Sequence, residues 1–151
     1  MKAEAPLSES FAFAYLGIPF GDRGSSRDSC DCWGLVSLLY RERLGVALPL
    51  YPEIETVKDP AMFRTFVRES KGEQWEEIPA GSEQPYDVVL MRGIVEVEGR
   101  KASRPIHVGC VVRPGQLIHT EQGIGVSIVD YRNHTSIKHR VISFFRYRTG
   151  Q

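Results

Sequence analysis

The chain has 151 residues, 42 % of them hydrophobic and 25 % charged, enough for one domain with a real core over 1–151 and cramped for two. Nineteen basic residues balance nineteen acidic ones, so no global field draws the protein to nucleic acid or to a membrane surface. No apolar run approaches the roughly 18 residues of a transmembrane span, and the opening MKAEAPLSESFAFAYLG lacks the apolar core and cleavage site of a signal peptide; synthesis in a reducing cytosol is expected.

In chain order, the pattern predicts a first helix over 8–17 that ends at Gly17, then a Gly/Ser/Asp loop, GIPFGDRGSSRD, over 17–28. A second helix is expected to start with Asp31 as N-cap and to run to about Arg43 on an apolar face of Leu35, Val36, Leu38 and Leu39. VALPLYPEIETVKDP reads as irregular, and AMFRTFVRES (61–70) as a short amphipathic helix. Strands are predicted at 86–91, 94–98, 105–112, 116–120, 124–129 and 141–147. Helices first and strands second indicate an α+β fold with a mostly antiparallel sheet packed on the N-terminal helices. The segment 131–148 holds Arg132, Lys138, Arg140, Arg146 and Arg148 with no acid, which is expected to be a solvated strand face rather than a docking surface.

The chemistry concentrates at SCDCWGL, residues 29–35. Three cysteines cannot form a closed disulfide framework, and the one-residue gap between Cys30 and Cys32 strains a bridge. Cys30, Cys32, His107 and Cys110 could supply four zinc ligands, but C-x-C is not the usual knuckle and His107 and Cys110 fall on opposite faces of a strand. A redox pair lacks the C-x-x-C spacing. No metal and no cofactor are expected. Cys32, in contrast, falls at the first turn of the strongest helix, where unpaired N–H groups favour a thiolate. Cys30 is expected to be a loop bystander.

A cysteine nucleophile needs a histidine base and a polar group to hold it. His107 and His119 lie on two strand segments joined by RPGQ, whereas His134 and His139 are expected to be exposed. A two-residue turn at Pro114–Gly115 would put His119 opposite Cys110, on the face away from His107. An odd-length loop, with Gly115 left-handed, shifts the register by one, sets His119 opposite Gly109 and lets the two imidazoles meet. The odd-length loop is the expectation, with one His107 nitrogen on His119 and the other facing Cys32.

GIPF (17–20) before DCWGLV (31–36), then YDVVLM, HVGCVV and LIHT, resembles the ordered motifs of the NlpC/P60 cysteine peptidases over about residues 11–129. The resemblance implies a papain-like core, with Cys32 as nucleophile, His107 as base and acid, and His119 as orienter. It implies hydrolysis of peptidoglycan stem peptides at γ-D-glutamyl–diamino acid bonds. Phe20 replaces the family's usual tyrosine and Trp33 a small serine; with Asp31 these are expected to contact substrate. The span between Cys32 and His107 is longer than in compact members, through residues 49–80. The bulky Trp33, the missing signal peptide and the missing wall-binding domain resemble the peptidases of phage tail tips and gene-transfer particles. That branch implies tail tip or hub proteins as partners and action in the cell wall after particle assembly. The alternatives are a structural tail-tip subunit with little or no activity, and an amidase or acyltransferase acting on a non-wall substrate.

Overall fold

The computed structural model describes residues 12–48 and 74–148; the helix expected at 61–70 lies outside them. Of the first predicted helix the described part is a short 3₁₀ turn, Phe13–Tyr15, closed at Gly17, whose φ of 87° suits only a residue without Cβ strain. Helix α1 is Cys32–Leu39, and every one of its residues is buried. A helix apolar all round sits inside a core rather than on a surface. Its continuation, Tyr40–Leu44, widens into a π turn and stops at Gly45, φ 68°. The 17–28 loop packs directly on the first turn of α1: a Cβ at Gly34 would come within 1.8 Å of the Gly24 carbonyl oxygen. Glu42 ties the two ends of this region together, accepting from Tyr15 (2.7 Å) and from Arg27 (2.8 Å).

The rest is one antiparallel sheet of six strands, in the order β1-β6-β2-β3-β4-β5, from β1 (Trp75–Ile78), β2 (Val88–Val97), β3 (Arg100–Arg113), β4 (Gln116–Glu121), β5 (Gly125–Asp130) and β6 (Val141–Tyr147). A one-turn helix, α2 (Thr135–Lys138), precedes β6. The α+β expectation holds. Alternation sorts the strand residues into two faces. Val88, Leu90, Val108, Cys110, Ile118 and Phe145 pack with α1, and Val89, Met91, Val111, Leu117 and Phe144 form a second cluster with Tyr131 and Ile137.

Three expectations need correction. The strands expected at 86–91 and 94–98 are one strand, β2, whose pairing shifts by a residue around Arg92. A bulge keeps a strand continuous while re-aiming it, so Arg92 and Gly93 interrupt the apolar pattern without ending the strand. Strand β1 was not expected, because its two glutamates obscure the buried Trp75 and Ile78 at its ends. The basic C-terminal stretch is not simply solvated. Arg146 makes a forked pair with buried Asp87 (both 2.9 Å), Arg132 reaches Glu83 (3.1 Å) and Arg140 reaches Glu121 (2.7 Å).

Candidate active site

Asp31 caps α1 as expected, and both of its oxygens are occupied by backbone: Oδ1 accepts from the Gly34 N–H (2.7 Å) and Oδ2 from the Arg23 N–H (2.8 Å). It therefore fixes the incoming loop on the helix. Burial still lifts its carboxyl above the usual range, against the pull of those two donors. Cys32 follows as the first helical residue and is fully buried. Its thiol faces the backbone N–H of Val108 and those of Trp33 and Cys32 itself, all of which favour the thiolate. Burial, aided by the Asp31 charge, outweighs them and pushes the thiol up to about 12. The expected helix-end donors are in place, but the resting group is a neutral thiol.

His107 and His119 meet. His107 Nε2 and His119 Nδ1 are 2.8 Å apart, with the ring planes crossed at 71°. Burial, then the neighbouring His119 and Arg140, holds His107 well below its ordinary value, and burial lowers His119 as well. Both imidazoles are neutral at pH 7. The register that brings them together arises differently from the expectation. Arg113 does pair with Gln116, the two-residue turn that was set aside, with Gly115 left-handed (φ 99°). The pairing then slips by one residue between Val111 and Arg113, so Val111 faces Leu117 and Cys110 faces Ile118. A bulge near Val112 does what an odd-length loop would have done. The absence of a side chain at Gly109 completes the approach, since a Cβ there would lie 3.3 Å from His119 Cβ. With Nε2 engaged, Nδ1 is the His107 nitrogen left for a thiol. The β3–β4 ladder runs only to Cys110–Ile118, and one residue past His107 the Val108 N–H is turned to the Cys32 thiol instead.

The remaining expected site residues separate. Phe20 is half-buried, bridges to Cys30 and lines a pocket of about 470 Å³ whose wall includes His107. Trp33 turns into the core and packs on Trp75 (centroids 6.1 Å apart), so its bulk is taken up by the strand β1 residue beneath it. Cys30 is buried between Phe20 and Ser25, its thiol raised to about 11 by burial, and Cys110 lies in the core beside α1. His134 and His139 are exposed, but His139 reaches the rim of the His107 pocket.

Two residues there were missed by sequence reasoning, Glu121 and Arg140. Ligand atoms of His107, His119 and Glu121 fall within 4.8 Å of one another, and Arg140 holds Glu121. Glu121 was findable, since it stands two residues after His119 on the same strand face. Arg140 was not, because it arrives from another part of the chain.

A cysteine at the N-terminus of a buried helix, laid against an antiparallel sheet that carries a paired histidine, defines the papain-like α+β class. Within it, the NlpC/P60 family model matches residues 17–145, and the chain belongs to that family. Similar solved structures include an NlpC/P60 family protein from Bacillus cereus (TM-score 0.60, 19 % identity, 91 % of this chain and 38 % of that one). Another is a lipoprotein-like NLP/P60 family protein from Staphylococcus aureus (TM-score 0.59, 18 %, covering 99 % and 45 %). The NlpC/p60 domain of the peptidoglycan hydrolase SagA aligns with a TM-score of 0.54 at 21 % identity over 88 % of this chain and 90 % of that domain. These likenesses are of fold, and the chain spans less than half the length of the first two. No curated protein matches the chain.

Proposed function

We propose that the protein is a cysteine endopeptidase of bacterial cell-wall stem peptides, cutting the γ-D-glutamyl–diamino acid bond. The observation that carries the reading is the 2.8 Å His107–His119 pair on the strand whose next backbone N–H meets the Cys32 thiol. On substrate binding His107 takes the thiol proton as sulfur attacks the carbonyl carbon. The oxyanion gathers on backbone donors at the α1 N-terminus, the Cys32 N–H among them. His107 then protonates the departing amine as the C–N bond breaks, leaving a thioester on Cys32. Water, deprotonated by His107, releases the acyl product and restores the thiol. His119 keeps the His107 ring oriented throughout.

A neutral base and a neutral thiol suit this sequence, because charge separates only during attack. The sequence resemblance to tail-tip and gene-transfer-particle enzymes supports assembly into a phage-like tail, with tail tip or hub proteins as partners and action in the cell wall. One observation favours the structural-subunit alternative: the Cys32 side chain has no exposed surface. Digestion of purified muropeptides under reducing conditions separates the two. Release of new fragments by wild type and by Cys30→Ala, but not by Cys32→Ala, is the expected result. No release by wild type rejects the enzyme, and equal loss in Cys30→Ala rejects Cys32 as nucleophile.

A further inference from the structure

The pocket beside His107 is charged in a way that the hydrolytic unit does not require. In a thiol–imidazole hydrolase the imidazole hands its proton to the departing amine, so the leaving group lies on the imidazole side of the thiol. His107 is a wall of this pocket and Cys32 is not. Its volume of about 470 Å³ has room for an amino acid residue with a long side chain.

The polar groups lining it are of both signs. Arg140 is pinned at both ends: its Nε donates to the Arg92 carbonyl (2.9 Å), its own carbonyl accepts from the Arg92 N–H (2.7 Å), and Nη2 pairs with Glu121 (2.7 Å). Arg92 itself stands at the β2 bulge, is exposed, and among the described residues its guanidinium has no acidic partner. A bulge that re-aims one side chain next to a reaction centre is a recurrent device. Glu121 therefore offers a carboxylate and Arg92 an uncommitted guanidinium on one pocket, with Arg140 between them in the backbone framework.

We propose that this pocket selects a leaving diamino acid whose side chain ends in a zwitterion, and thus diaminopimelate over lysine. Diaminopimelate ends in both an ammonium and a carboxylate; lysine ends in an ammonium alone. Glu121 takes the ammonium, and Arg92 takes the carboxylate by a forked, charge-assisted pair. Arg140 keeps Glu121 in place. Lysine leaves the Arg92 guanidinium unanswered, and diaminopimelate with its terminal carboxylate amidated does the same.

The inference rests on the proposed roles of Cys32 and His107, so its test uses both binding and turnover. Three uncrosslinked stem peptides, identical except for diaminopimelate, amidated diaminopimelate or lysine, are titrated calorimetrically into Cys32→Ala and digested by wild type. The diaminopimelate peptide is expected to bind the Cys32→Ala protein, and to be cleaved by wild type, about ten- to a hundredfold better than the other two. Arg92→Ala is expected to bring the ratios close to one, and Arg92→Lys to restore them in part. Equal binding of the three peptides overturns the proposal, as does a ratio that survives Arg92→Ala. Selective binding with no cleavage by wild type leaves the pocket assignment standing and rejects the peptidase.

Discussion

The surroundings of Cys32 and the pocket beside His107 are built on opposite principles. Around Cys32 the surroundings are apolar and closed: α1 is buried on every face, and the thiol meets the backbone N–H groups of Val108, Trp33 and Cys32 itself. Beside His107 are an open pocket, a carboxylate and two guanidiniums. On the proposed mechanism, the nucleophile is stored without charge, while charge is kept where a leaving group would stand. A thiolate waiting in the dry side would pay a large desolvation cost. A thiol held neutral avoids that cost, and the backbone N–H groups at the α1 N-terminus are placed for the charge that appears during attack.

The largest effect is expected from His107→Ala, which removes the proposed proton carrier. It should lower kcat/KM on a stem peptide by about a thousandfold or more, measured by fragment release, with little change in Tm. Trp33→Ser acts on the dry side alone. It empties the contact with Trp75 and should destabilise the fold by about 3 kcal/mol in denaturant titration. If Trp33 were a substrate contact instead, stability would hold and KM would change. Arg146→Ala leaves the nearly fully buried Asp87 without its forked partner and should cost about 2 kcal/mol of stability, less than for a wholly enclosed pair because Arg146 is a third exposed.

Legibility followed the same division. The α1 cap, the place of Cys32 at the first helical turn and the meeting of the two histidines could be read because each depends on local spacing. The register that delivers His119 could be inferred only in its result. Whether a turn or a bulge supplies the extra residue depends on how Val111 and Val112 seat in the sheet, and hydrophobic alternation is blind to that. Trp33 looked like a pocket residue because its partner, Trp75, lies 42 positions away on a strand whose acids hid it. The ion pairs of Arg132, Arg140 and Arg146 were equally invisible, since each acid comes from a different strand or turn.

The smallest effect expected is on acid stability. His107 and His119 are held neutral by burial, so between the ordinary histidine pKa, about 6.5, and their lowered folded values only the unfolded chain takes up these protons. Their contribution is therefore complete above about pH 6.5 and is lost as pH falls below it. His119→Gln should flatten the fall of Tm between about pH 6.5 and 4.5 while lowering kcat/KM only about ten- to a hundredfold. An unchanged slope would show that the pair is protonated in the fold.

Trapping the acyl intermediate tests whether Cys32 is the nucleophile and is served by the His107–His119 pair. A slowly deacylating γ-D-glutamyl ester or thioester of the stem peptide is mixed with the protein, quenched in acid, and located by mass spectrometry of the digested chain. One acyl group per chain is expected, on Cys32, formed in wild type and much more slowly in His107→Ala. Acylation of Cys30 or Cys110, or a rate indifferent to His107, would contradict it.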